Sequence, residues 1–364
     1  MKTAAIICEY NPFHRGHGKQ IAFLRQTLGE DLAVVAIMSG NFVQRGGPAI
    51  YPKEARAAVA LRGGADLVLE LPYPWCAAVG ERFAAAGVHI AGAVGADYLC
   101  FGHESDFSLL REAADFSWEP AGRYSGSAIR AREEAFRQAT GRSFPVGAND
   151  RLAIEYLRAM KNDPAAASLA PLPLLREQDG FSAHAAREAI LAGEDPSTIV
   201  PELCALPPAT LEKGYPALSA LLRSADPTEL SSLFDLPYEI ALRLASAAGK
   251  HPDDFPAFFA ALQNKNDTDA RLRRCLVTAL LRPLPEDGAA LPSWTQLLAA
   301  NERGRSLLRA IRRDGSFEVV TKRADAPEGR QKLLSLRADS QYGIFCGKSE
   351  SVNEILARIP LFVD

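Results

Sequence analysis

Two kinds of apolar patterning alternate along the first third of the chain. TAAIICE (Thr3 to Glu9) is a short, β-rich run, and apolar residues then recur at helical spacing from about His14 to Leu28. LAVVAIM (Leu32 to Met38) has the unbroken apolar character of a strand buried on both faces. EARAAVALRGG (Glu54 to Gly64) is an alanine-rich helix closed by glycines. ADLVLELP (Ala65 to Pro72), a helix from about Gly80 to Val94, and ADYLCF (Ala96 to Phe101) continue the rhythm. Strand, helix, strand in this order predicts βαβ units, hence an α/β, Rossmann-like core with a parallel sheet and helices on both faces. Ligands in such sheets sit outside the carboxyl ends of the strands. The stretches that matter are therefore the four strand tails, EYNPFH, SGNFVQRGG, LPYPW and GHES.

From about Ser127 the spacing is mostly helical (SAIRAREEAFRQA, then NDRLAIEYLRAM), with LAPLPLL (Leu169 to Leu175) a candidate fifth strand before the helix in FSAHAAREAILAG. Helical patterns separated by prolines follow Asp195. The expected organisation is an α/β domain over residues 1–195 and a mainly α-helical domain over residues 196–364.

Composition narrows the class. The hydrophobic content of 48% is that of an ordinary globular protein, and no apolar run reaches the roughly 18 residues of a membrane span. The six cysteines (Cys8, Cys76, Cys100, Cys204, Cys275, Cys346) form no CxxC pair, so a reduced, cytoplasmic protein without a cysteine metal site is expected. The net charge of −3 hides an asymmetry, because Asn301 to Arg337 carries ten Lys/Arg against five acids. Arg305, Arg309 and Arg312 recur as one helical stripe beside Arg313, which suits phosphate contacts to a nucleic acid and equally a solvated helix face.

The chemistry concentrates at His14-Arg15-Gly16-His17, an H-x-G-H where the first strand gives way to the first helix. A helix N-terminus offers free N–H groups and the positive end of a dipole. Two imidazoles one turn apart can donate to the same phosphate chain, and Gly16 lets a nucleotide approach the backbone. That combination suits adenylyl transfer, in which charge moves onto leaving pyrophosphate. A zinc pair and two helix-capping histidines remain alternative readings. Ser182-Ala-His-Ala-Ala-Arg187 opens a later helix, where hydroxyl and guanidinium could hold β and γ phosphates or simply cap and solvate it. Asn41, Gln44 and Arg45 follow the second strand on the same sheet edge, as a substrate-facing loop or as a turn around Gly40 and Gly46.

H-x-G-H with a downstream S-x-x-x-x-R resembles the HIGH-type nucleotidyltransferase superfamily. EYNPFHRGH, MSGNFVQRGGPAI, GADLVLELP and DYLCFGHES together closely resemble the bacterial tRNA(Met) cytidine acetate ligases, densely from Ile6 to Ser105 and traceably to the Ser182 segment. The resemblance implies a ligase that converts ATP, arriving as its magnesium complex, and acetate to acetyl-adenylate. The acetyl group then passes to the wobble cytidine of elongator tRNA(Met), giving N4-acetylcytidine. It implies an ATP site at Ile7, Cys8, Glu9, Tyr10, Asn11, Pro12, Phe13, His14, Arg15, Gly16, His17, Gly18, Lys19 and Gln20, with Gly102, Asn149 and Arg176. His14 and His17 are then the catalytic pair, and no acyl-enzyme is required. The chain departs from the family pattern at His103, His184 and Ala186. An adenylyltransferase acting on a phosphorylated metabolite, or an RNA-binding protein on a retired nucleotide fold, are the other classes compatible with the core. The long helical half disfavours the first, and the intact H-x-G-H disfavours the second.

Overall fold

The computed structural model describes residues 1–117, 126–176, 183–194, 206–348 and 350–363. Ser182 and the expected boundary at residue 195 lie outside them. The first half runs β1 (Thr3–Cys8), α1 (Arg15–Leu28), β2 (Ala33–Ser39), α2 (Lys53–Arg62), β3 (Leu67–Leu71), α3 (Gly80–Ala93), β4 (Tyr98–His103), α4 (Phe107–Asp115), α5 (Gly126–Thr140), α6 (Ala148–Asn162), β5 (Ala170–Leu175) and α7 (Ala183–Leu191). The second runs α8 (Leu211–Ser224), α9 (Pro227–Leu230), α10 (Tyr238–Lys250), α11 (Phe255–Leu262), α12 (Asp269–Leu281), α13 (Pro285–Ala289), β6 (Trp294–Ala300), α14 (Glu302–Asp314), β7 (Glu318–Val320), α15 (Arg330–Cys346), α16 (Val352–Ala357) and β8 (Leu361–Phe362).

The sheet order is β5-β4-β1-β2-β3-β6-β7, with β8 also on β6. β1 to β5 are mutually parallel, and β2 is buried at all seven positions, as its apolar run predicts. Alternate strand residues face opposite sides. Ala4, Ile6 and Cys8 pack with α1 and α2, while Ala5, Val35 and Ile37 pack with α3, α6 and α14. Each fully buried Leu, Ile or Val contributes on the order of 1.5–3 kcal/mol. β5 carries Pro171 and Pro173, which an edge strand tolerates because only β4 demands its backbone donors.

The sheet continues past residue 195. β6 pairs antiparallel to β3 (Leu67↔Ala300, Leu69↔Leu297), and β7 and β8 pair parallel to different stretches of β6. The second half is thus mainly helical, with α8, α10, α11, α12 and α15 packed together, yet it also completes the sheet. Among the described residues, no helix is long and apolar enough to cross a membrane.

Strand order reverses at β1, whose neighbours are β4 and β2. A crevice therefore opens between the carboxyl ends of β1 and β4, the position where this topology binds ligands.

Candidate active site

A cleft of about 410 Å³ occupies that crevice. Ile7, Cys8, Glu9, Tyr10 and Asn11 line it from β1 and its tail, and His14, Gly16, His17, Lys19 and Gln20 from the start of α1. Gly102, Arg176 and Asn149 complete its other side, with Gln44 and Arg45 at the loop after β2.

His14 is the N-cap of α1 and His17 its third residue. The His14 Nδ1 accepts the Gly16 N–H at 3.1 Å, and the His17 Nδ1 accepts the His14 N–H at 3.1 Å. The two rings stack with centroids 3.8 Å apart. Because each Nδ1 is an acceptor, each neutral ring carries its proton on Nε2. Burial first, then the electrostatic influence of the neighbouring His14 and Arg176, hold the His17 imidazole well below its ordinary pKa. The capping reading holds, and it does not exclude the phosphate reading: one edge of each ring caps the helix, and the other carries the N–H. Gly16 is required by this arrangement, since a Cβ there would lie 2.9 Å from the His14 Cε1. The protein itself, and not only a nucleotide, demands the close approach.

The crevice width is held by Gln20, whose Nε2 donates to the Cys100 carbonyl at 3.3 Å and so ties α1 to β4. The Arg176 N–H donates to the His103 carbonyl at 2.8 Å, and its side chain lies across Gly102. Asn149 donates to the Glu104 carboxylate on the first turn of α6. Its neighbour Asp150, 1% exposed, accepts the Glu104 N–H at 2.7 Å and the Ser105 hydroxyl at 2.6 Å, pinning the loop after β4. Burial pushes the Cys8 thiol far up, so it stays protonated and is no nucleophile. Among the described residues, no group of three or more His, Cys, Asp or Glu is placed to hold a metal ion.

The family model for HIGH nucleotidyl transferases matches residues 1–354. A tRNA(Met) cytidine acetate ligase of Acetivibrio thermocellus is 31% identical over 89% of this chain and 89% of its own. Another from Limosilactobacillus reuteri is 31% identical over 95% and 96%. The chain belongs to the tRNA(Met) cytidine acetate ligase family, within the HIGH nucleotidyl transferases. A crystal structure of Thermotoga maritima TmcAL bound with alpha-thio ATP matches over 100% of both chains with TM-score 0.84 at 22% identity, a likeness of fold.

The departures from the ligase family pattern part ways in space. His103 is 7% exposed, its Nδ1 is 2.7 Å from the Ser105 carbonyl, and it does not line the cleft. His184 does line it, exposed and 3.3 Å from Glu188. Pro12, Phe13, Arg15 and Gly18 lie in the first loop and turn without lining the cleft. Phe13 packs instead over Gly63. Arg187 also stays out of the lining, its Nη1 donating to the Asn11 carbonyl at 2.7 Å. Gln44 and Arg45 reach the cleft, whereas Asn41 turns inward: its Nδ2 donates to Asp339 at 3.1 Å and its Oδ1 accepts the Lys53 N–H at 2.9 Å. Its place in a substrate-facing loop is corrected to that of an internal anchor, because both ends of the amide are already taken.

That loop is also the joint between the two halves. Gly46, at φ +84°, abuts α12, where a Cβ would fall 2.5 Å from the Arg273 Cβ. The Arg274 Nη1 donates to the Gln44 carbonyl at 3.1 Å. Beneath it lies a buried charge network that sequence reasoning missed. Lys53 contacts Glu70 at 2.9 Å and Asp339 at 2.7 Å, and Arg323 contacts Glu70 at 2.6 Å and Asp339 at 3.0 Å. Arg56, fully buried, donates to the carbonyls of Glu9, Ser39, Gly40 and Tyr51, joining the tails of β1 and β2. The available signal was Glu70, a carboxylate inside the apolar strand LVLEL.

Arg305, Arg309, Arg312 and Arg313 sit on α14, and none lines the cleft. The helix starts at the amino ends of β2 and β3, opposite the strand ends that form the cleft, where Arg303 donates to the Leu32 carbonyl at 3.1 Å and Asn301 to Asp66 at 2.9 Å. Leu307, Leu308 and Ile311 face the core, leaving Arg309, Arg312 and Arg313 exposed.

Proposed function

We propose that this chain activates acetate with ATP and transfers the acetyl group to the wobble cytidine of elongator tRNA(Met). The observation that carries the reading is the stacked pair of imidazoles, His14 and His17, each protonated on Nε2 in the crevice beside Arg176. In the first step a carboxylate oxygen of acetate attacks the α-phosphorus. The bond from that phosphorus to the β-bridging oxygen breaks, and pyrophosphate leaves. His14 and His17 donate to the phosphates as charge accumulates there, and Lys19 and Arg176 add positive charge. In the second step the N4 amine attacks the acetyl carbonyl, the mixed-anhydride C–O bond breaks, AMP leaves, and the amine loses a proton to solvent. Magnesium enters bound to the nucleotide phosphates.

The acceptor is supported by the relatives, which are tRNA(Met) cytidine acetate ligases. In this reading residues 1–195 carry adenylation, and residues 196–364 engage the tRNA, with the α14 arginines as phosphate contacts in the cytoplasm. The test is incubation with ATP, labelled acetate and total tRNA, followed by nucleoside analysis. N4-acetylcytidine supports the ligase. Pyrophosphate release with a phosphorylated metabolite, and none with acetate, moves the assignment to an adenylyltransferase.

A further inference from the structure

The cleft has two walls of opposite character. His14, His17, Lys19 and Arg176 make one polar and positive. Ile7 of β1, Phe83 of α3, Phe101 of β4, and Leu152 and Tyr156 of α6 make the other apolar. A phosphate chain has no use for the second wall.

The apolar wall is built rather than incidental. Phe83 and Phe101 are 2% and 4% exposed, and the Phe101 and Tyr156 rings lie 5.8 Å apart. Ile7 presses on α3, where a Cβ at Gly87 would fall 2.7 Å from its Cδ1. Leu152 is only partly buried, and its Cδ2 lies 3.6 Å from the Cβ position of Gly80, at the start of α3. Four elements thus hold these side chains in fixed positions, with Ile7 and Leu152 the two that are only partly buried. Burial first, then the neighbouring Cys8 and Glu9, push the Tyr156 hydroxyl far above its usual pKa. It therefore remains an O–H donor at any physiological pH.

A short aliphatic carboxylate needs both features, apolar contact for its carbon chain and a neutral donor for its oxygens. We propose that this wall is the acyl-acid subsite: Phe83, Phe101 and Leu152 enclose the methyl group, and the Tyr156 hydroxyl donates to the carboxylate. The assignment rests on the ligase reading and deepens it, making Leu152 the residue that limits acid length.

The test is acid-dependent ATP–pyrophosphate exchange by the full chain with acetate, propionate and butyrate. It is paired with binding of a non-hydrolysable ATP analogue. Leu152→Ala should shift relative kcat/KM from acetate toward propionate by about 10- to 200-fold, the range one methylene commands in an apolar pocket. Such a gain cannot come from misfolding. Tyr156→Phe should raise the KM for acetate about tenfold or more with analogue affinity unchanged. Acetate-dependent exchange whose acid preference survives Leu152→Ala overturns the subsite alone. So does a rise in analogue Kd without altered preference, which gives the wall to the adenine ring. Wild-type protein showing no exchange with any acid overturns the ligase reading, and the subsite with it.

Discussion

Asp339→Asn tests how the two halves of the molecule are joined. The Asp339 carboxylate receives Lys53 at 2.7 Å, Arg323 at 3.0 Å and Asn41 at 3.1 Å, from α2, the turn after β7 and the loop after β2. It is 3% exposed, as is Glu70, the other anion of the network. The wild-type cluster balances two buried cations with two buried anions. The substitution keeps the volume but leaves Lys53 and Arg323 sharing Glu70, an uncompensated buried charge that costs about 3–5 kcal/mol. Urea unfolding followed by tryptophan fluorescence reads the loss, since Trp294 lies under the Arg323 guanidinium at 5.4 Å. Adding Lys53→Met removes the surplus cation and should recover part of it, so the double-mutant cycle should give a coupling of about 0.5–3 kcal/mol. A loss below about 1 kcal/mol for Asp339→Asn, with no coupling to Lys53, would refute the view that balanced buried charge docks α15 onto the sheet.

Acid should act through the same group. Burial alone would raise the Asp339 carboxyl, but Lys53 and Arg323 outweigh it and hold the group below its usual value. Its stabilisation is therefore full above the unfolded value of about 3.9 and fades as pH falls through the lower folded value. Wild-type stability should drop more steeply below about pH 4 than that of Asp339→Asn; parallel curves would contradict the sign. His17→Gln should lower acetate-dependent pyrophosphate exchange by about 100-fold or more, as for other lost transition-state donors, and near-normal exchange excludes it from the chemistry. Because His17 is held neutral, the wild-type exchange profile should show no limb from this group near pH 6.5, and titration of activity that disappears in His17→Gln would contradict it. Arg309→Glu with Arg312→Glu should weaken tRNA binding and reduce its salt slope by about one unit per lost phosphate contact, without changing ATP-analogue affinity. Unchanged tRNA affinity at moderate salt removes α14 from the interface.

The first four strands were legible because each is a local apolar run with a turn at its end, and His14 and His17 stood out for the same reason. WTQLLAA was not. Leucine and alanine are good helix formers, and β6 exists because its backbone pairs with β3, a contact the Thr295 hydroxyl reinforces by donating to the Glu70 carbonyl 225 residues away. The run YGIFC (Tyr342 to Cys346) belongs to α15, where Tyr342 donates to the Ala49 carbonyl at 2.8 Å and Phe345 packs on Phe42. Phe83, Leu152 and Tyr156 were unreadable as cleft residues, since an apolar position on a helix has the same pattern whether it meets a core or a ligand.

By itself the sequence determined where the strands end and which residues stand at those ends, because helix and strand periodicities are complete within a few residues. Only the tertiary structure decided that β1 lies between β4 and β2, which turns two separate loops into one crevice. It also decided which histidine nitrogen is spent on the helix cap and which remains a donor, a matter of hydrogen-bond geometry around Gly16. The same holds for Asn41 and Glu70, whose roles depend on Asp339 and Arg323, far along the chain. Charges buried together must find partners, and the partner is chosen by proximity in space, which no local pattern encodes.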